Sequence, residues 1–177
     1  MAGNGGARDR ALFAAVDVHY LGTAGARAAL VTASDARFAE LTGTATILIA
    51  EAAPYRPGEF YLRELPAIRA VCQHAGPFAL IVVDGYVDLD PAGRPGLGAH
   101  VHAEFGVPVI GVAKTAFRTA THAAQIRRGQ SARPLFITAA GMTVGDAASL
   151  IEDMAGQFRI PDALRTADRV ARGLEQP

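Results

Sequence analysis

The stretch FALIVVDG, Phe78–Gly85, sets the frame for the whole chain. Its apolar run is almost unbroken and rich in β-branched residues, the pattern of a strand buried on both faces. PVIGVAKT, Pro108–Thr115, repeats the pattern and predicts a second such strand. Between them a Pro/Gly-rich loop, YVDLDPAGRPG (Tyr86–Gly96), leads into a helix over about Leu97–Phe105. Upstream, LFAAVDVHY (Leu12–Tyr20), ARAALVTA (Ala26–Ala33) and TATILIAE (Thr44–Glu51) are separated by glycine or charged turn signals and read as three successive antiparallel strands. A helix follows over about Glu64–Ala75, with Leu65, Ile68, Val71 and Cys72 on one face; Pro66 suits only its first turn. Downstream come a basic segment, QIRRGQSARP (Gln125–Pro134), a strand PLFITAA (Pro134–Ala140), and helices over about Ala147–Phe158 and Asp162–Leu174. The order predicts an α/β fold: a mixed sheet of three antiparallel strands followed by parallel strands, with flanking helices.

The bulk properties narrow the setting. A chain of 177 residues that is 50% hydrophobic suits one domain with a sizeable core, here expected over residues 11–177 after a flexible leader at 1–10. The net charge of zero provides no global basic field. A single cysteine, Cys72, excludes an intrachain disulfide framework and a cysteine-rich zinc site. No signal pattern is visible and no apolar run approaches ~18 residues, so a soluble, cytoplasmic protein with no membrane role is expected.

Two strands carry a carboxylate inside apolar surroundings: Asp17 in AAVDVHY and Asp84 in IVVDGY. An unpaired buried carboxylate costs several kcal/mol, so each needs a cation, strong hydrogen bonds or a strand end. Asp84 precedes Gly85 at the C-terminal end of its strand, where open α/β sheets place ligands; Asp17 lies mid-run. Aspartates converging from neighbouring strands suit an oxygen-ligated divalent ion, Mg²⁺ or alternatively Mn²⁺. The structural alternative makes both of them turn or capping residues. Glu64 is expected at its helix mouth, favouring the helix dipole or reaching a metal or its water. Lys114 ends a buried strand, either snorkelling to solvent or contacting phosphate. Asp146, in TVGDAASL, reads as a helix N-cap.

One loop is stiff and aromatic: EAAPYRPGEFYLRELPAI, Glu51–Ile68, holds prolines, a glycine and tyrosine ahead of Glu64. With VDVHY (Val16–Tyr20), PYRPGEFYLRELP (Pro54–Pro66), VVDG (Val82–Gly85), GLGAHV (Gly96–Val101), PVIGVAKT, TVGD (Thr143–Asp146) and FRIPDALRTADRVA (Phe158–Ala171) in order over about Ala14–Arg172, the chain resembles the endonuclease V family, deoxyinosine-directed nucleases with a ribonuclease H-like fold. The resemblance implies that Asp17 and Asp84 bind metal, that Glu64 joins them, and that Lys114 stands near the scissile phosphate. It also implies that Pro54, Tyr55, Arg56, Pro57 and Gly58 form a wedge beside the damaged base. Prolines fix the loop backbone, and a tyrosine can stack where a base has left the helix. Two departures stand out. The family histidine after VG is Asp146, a possible further metal-binding carboxylate at the catalytic site, and the loop after Gly85 carries Asp90 in place of a histidine.

The expected activity is metal-assisted phosphodiester hydrolysis. By resemblance the cut falls at the second phosphodiester 3′ to inosine or deoxyinosine, in DNA or RNA; separately, a monomer is expected. Asp17 and Asp84 hold the metal, Glu64 orients water or completes the metal shell, and Lys114 offsets phosphate charge. Backbone groups near Gly85 and the wedge read the flipped base. Arg127, Arg128 and Arg133 offer a basic strip for backbone phosphates. The alternatives are a catalytically weak nucleic-acid-binding relative and a metal-dependent hydrolase of a small phosphoester.

Overall fold

The computed structural model describes residues 11–22, 25–50 and 61–174. The leader at 1–10 and the wedge residues Pro54–Gly58 lie outside the described residues. The elements in chain order are β1 (Leu12–Tyr20), β2 (Ala26–Ala33), β3 (Leu41–Ile49), α1 (Tyr61–Cys72), β4 (Phe78–Asp84), α2 (Leu97–Phe105), β5 (Val109–Ala113), β6 (Ala124–Ile126), β7 (Leu135–Ala140), α3 (Val144–Asp153) and α4 (Asp162–Ala171). The strands form one seven-stranded sheet in the order β3-β2-β1-β4-β5-β7-β6.

β1, β2 and β3 pair antiparallel, and β4 and β5 extend the sheet parallel to β1. The two buried runs singled out in the sequence are thus the central strands, and the mixed, ribonuclease H-like architecture is as expected. β7 then returns antiparallel to β5, because the chain between them contains only a loop and the short β6 rather than a crossover helix.

Alternation sorts side chains to the two faces. Ala15, Val82, Ile110 and Val112 pack on one face with Ala147 and Ile151 of α3 and Ala163, Leu164 and Ala167 of α4. Ala14, Val16, Ile81 and Val83 pack on the other with Ala67, Ile68, Val71 and Cys72 of α1 and Val101 of α2. Among the described residues no helix is long and apolar enough to cross a membrane.

Several boundaries differ from the sequence reading, among them those of α1, β3, α3 and α4, the last ending at Ala171. α1 begins at Tyr61, so Glu64 sits inside its first turn and Pro66 lies deeper in the helix than a first-turn proline. Leu62, whose carbonyl loses its usual i+4 N–H donor to that proline, is an exposed residue. β3 starts at Leu41, and α3 starts at Val144 and stops at Asp153. The three-residue β6 falls where a basic connection was read, too short to show a period of its own; its place is set by pairing with β7, Gln125 opposite Phe136.

Candidate active site

The site lies where β1, β4 and β5 end. Val16 pairs with Val83, which brings Asp17 level with Asp84 on the adjacent parallel strand, and Asp84 pairs with Val112, two residues before Lys114. Asp17, Asp84 and Lys114 share the strand parity of Ala15, Val82 and Val112, so all three emerge on the α3–α4 face. A pocket of about 350 Å³ is lined by Asp17, Val18, His19, Tyr20, Glu64, Asp84, Lys114, Asp168 and Arg172. Four carboxylates and only two long-chain cations line it.

The electrostatics follow from that imbalance. Glu64 is 7% exposed. Burial, then the charges of Asp17 and Asp84, push its carboxyl up to about 9, although Tyr20 and Arg63 pull the other way. Burial and Asp84 raise Asp17 to about 7 against a hydrogen bond from the Val18 N–H to Asp17 Oδ1 at 2.9 Å. Tyr20 holds its phenol proton more tightly than usual, through burial and the neighbouring Glu64. Lys114 donates to Asp84 Oδ2. Burial works against its charge, but Asp84, Asp17 and Asp168 more than offset this, and its ammonium is held above the ordinary lysine value.

The backbone around Gly85 is built to be close to this pocket. Gly85 has φ 147° and donates its N–H to the Val112 carbonyl at 3.0 Å. Gly111 in β5 makes room for it: a Cβ there would come within 2.6 Å of the Gly85 carbonyl oxygen and 2.8 Å of Thr138 Oγ1. The Val87 N–H donates to Thr138 Oγ1 at 2.8 Å. Tyr86 ties this loop to the one after β5, its hydroxyl donating to the Thr115 carbonyl at 2.8 Å and accepting the Phe117 N–H at 3.0 Å.

Of the residues singled out in the sequence, Asp17, Glu64, Asp84 and Lys114 line one pocket, and Gly85 follows Asp84 directly. Asp146 does not join them. Thr143 is the N-cap of α3, and Asp146, at the third helical position, completes a reciprocal pair. Its N–H donates to Thr143 Oγ1 at 3.1 Å, and its Oδ2 accepts the Thr143 hydroxyl at 2.7 Å. Asp90 is also internally engaged, accepting the Ala92 and Arg94 N–H groups at 3.0 and 3.1 Å and facing the Arg94 guanidinium at 3.4 Å. The expected basic strip loses Arg128, which is buried and donates to the carbonyls of Glu152, Met154, Gly156 and Phe158.

The residue that the sequence reading missed is Asp168 of α4, which reaches the pocket from the sheet's α3–α4 face beside Arg172, its partner at 2.8 Å. A signal existed: Asp168 stands one turn after Leu164, on the edge of the buried stripe formed by Ala163, Leu164, Ala167, Val170 and Ala171. A second signal concerns Lys114. The chain has one lysine against sixteen arginines, and that lysine faces Asp84.

The four carboxylates supply oxygen donors, which suit a hard divalent cation, and His19 adds a nitrogen to the lining. As the side chains stand, no three Asp, Glu, His or Cys groups among the described residues converge on one point, and Asp84 faces Lys114 instead.

Known proteins share this chain's sequence pattern and fold. The family model for endonuclease V matches residues 4–141. Endonuclease V of Azotobacter vinelandii is 29% identical over 185 residues, covering 92% of this chain and 83% of that protein. The crystal structure of endonuclease V from Streptomyces avermitilis superposes with a TM-score of 0.77 at 26% identity, over 94% of this chain and 82% of the other. At 17% identity, and so for the fold alone, Ciona intestinalis endonuclease V superposes with a TM-score of 0.78 over 93% of this chain and 85% of that one; that protein is in complex with a 24mer DNA containing an inosine. The chain belongs to the endonuclease V family, and with it to the nucleases.

Proposed function

We propose that the chain is a divalent-metal-dependent endonuclease that cleaves a nucleic-acid strand at the second phosphodiester 3′ to inosine or deoxyinosine, acting as a cytoplasmic monomer. One observation carries the reading: Asp17, Glu64, Asp84 and Asp168 crowd one pocket with Lys114, and two of them hold protons that carboxyls at the surface would release. The burial and mutual repulsion that hold those protons are both offset by a cation. Asp17 and Asp84 would hold it, with Glu64 and Asp168 completing the shell or orienting water, and Mg²⁺ or Mn²⁺ suits the oxygen donors. When bound, such an ion supplies Lewis-acid stabilisation of charge building up on the phosphate and the departing oxygen.

The chain's own groups do the rest. The Lys114 ammonium lies in the same pocket and sets a positive charge against the phosphate. With the charges of Asp17 and Asp84 offset by a cation, Glu64 is the carboxyl placed in the pocket to orient a water and take its proton. The Gly85 backbone, held close to the pocket by Gly111, offers main-chain groups to a base turned out of the stack. The inosine-containing DNA in the Ciona relative supports the substrate class.

The test uses matched end-labelled strands, DNA and RNA, that differ only in carrying inosine or guanine at one position, with Mg²⁺, Mn²⁺ or EDTA. The reading expects one product ending just 3′ of inosine, with either metal, and no product in EDTA. Equal cutting of the guanine strand overturns the specificity, and undiminished cutting in EDTA overturns the metal dependence.

A further inference from the structure

We propose that Arg159 is a positioning residue for Lys114, setting where the end of β5 stands and therefore where the ammonium meets Asp84. The ladder between β5 and β7 ends at the pair Ala113 and Phe136, so Lys114 is the first residue after β5. At that point Arg159 takes over. Its Nη2 donates to the Lys114 carbonyl and, at 2.7 Å, to the Pro134 carbonyl. One guanidinium thus bridges the last step of β5 and the approach to β7.

Arg159 is itself well placed to act as a fixed point. It lies in the connection from α3 to α4, and the buried Arg128 fastens that connection through the carbonyls of Glu152, Met154, Gly156 and Phe158. The last of these belongs to the residue immediately before Arg159. Two arginines therefore act in series. Arg128 holds the connection, Arg159 holds the Lys114 backbone, and the Lys114 side chain spans to Asp84. Both bonds leave the one Nη2 amino group, and the rigid guanidinium plane fixes its two N–H directions on the two carbonyls as a flexible lysine ammonium would not.

The rate arm of the test rests on the nuclease reading. With an inosine strand and saturating metal, Arg159→Gln is expected to lower kcat about 10- to 100-fold, the scale of a displaced catalytic group, with little change in KM. Arg159→Lys falls between it and wild type. In a Lys114→Ala background Arg159→Gln adds no further loss, because its effect passes through the lysine. Losses that add overturn the proposal. Arg165→Gln, on the adjacent helix and paired with Asp162, is the control for simple loss of charge and leaves kcat unchanged.

A second arm needs no catalysis. Lys114 is the only lysine, so acylation by an amine-directed reagent at fixed pH, read by peptide mass spectrometry, reports on that one side chain, with the chain's α-amino group as internal reference. Arg159→Gln is expected to speed Lys114 labelling several-fold while the α-amino rate stays constant; an unchanged Lys114 rate overturns the proposal. If wild type cuts no inosine strand, the nuclease reading fails and the labelling arm still decides the role of Arg159. Should Arg159→Gln not fold, Arg159→Lys carries both arms.

Discussion

Replacing Glu64 by glutamine removes a charge while keeping the shape of the side chain, and its effect on stability can be worked out from the pocket. In the fold the Glu64 carboxyl titrates at about 9, against an ordinary 4.5. A raised acid binds more protons folded than unfolded throughout that interval, so its contribution is most favourable below pH 4.5 and is lost progressively as pH rises to 9. At about 1.4 kcal/mol for each unit of pH, the penalty accumulated between pH 4.5 and 7 is about 3 kcal/mol. Glutamine carries no such penalty. In ion-free protein, Glu64→Gln is therefore expected to leave stability nearly unchanged at pH 4.5 and to raise it by about 3 kcal/mol at pH 7, about 6–12 °C in Tm for a chain of this size. The gain grows further towards pH 9. Urea unfolding in EDTA across this range measures it directly. Millimolar Mg²⁺ should narrow the gap at pH 7, because a cation relieves in the wild type what the amide relieves in the variant. A difference that does not change with pH, or a variant less stable than wild type at every pH, would refute the claim that Glu64 is held protonated by burial and by Asp17 and Asp84.

Other outcomes follow from individual contacts. Asp168→Asn should lower cleavage of an inosine strand by about 10²-fold or more, as loss of a charged group at the reacting centre does. Asp146→Ala should leave the rate near wild type and lose only about 0.5–1 kcal/mol of stability with its capping pair; single-turnover kinetics and thermal melts separate the two. Arg128→Ala strands one carbonyl at the end of α3 and three in the α3–α4 connection and should cost at least about 3 kcal/mol in urea unfolding. Gly111→Ala places a methyl group 2.6 Å from the Gly85 carbonyl oxygen; about 1–3 kcal/mol of destabilisation is expected, with weakened discrimination between inosine and guanine in competition binding.

Much of this architecture was legible in the chain because its central strands are unusually pure. Phe78–Asp84 and Val109–Ala113 are apolar enough to announce strands covered on both faces, and a single aspartate stands out in an apolar run, Asp84 in the first of these and Asp17 in Leu12–Tyr20. Period-two alternation then suffices to bring both to one face. Helical residues were harder. Asp168 and Arg172, spaced i and i+4, make the same pattern as any solvated helix pair, so only the position of Asp168 beside the stripe of Leu164 and Ala167 betrayed it. Asp146 shows the reverse. Its place in TVGD fits capping and catalysis equally well by sequence; in the fold Thr143 is the N-cap, and Asp146, at the third helical position, is hydrogen-bonded to it. Arg128 read as surface because a run of charge carries no tertiary information; its four carbonyl partners lie 24 to 30 residues away. The bounds of α1 slipped because Pro66 was assumed to mark a first turn, whereas Glu64, Ala67 and Ile68 bury a helix that starts at Tyr61.

The most direct test of the central claim is the single-turnover rate of cleavage of an end-labelled inosine strand with Mg²⁺ by wild type and by Asp84→Asn, a change that keeps size and removes the charge shared by Lys114 and the other carboxylates. A single cut 3′ of inosine by wild type, slowed by about 10²-fold or more in a variant that is equally well folded, is the predicted result. Cleavage by Asp84→Asn at the wild-type rate would place the chemistry outside the pocket of Asp17, Glu64, Asp84 and Asp168.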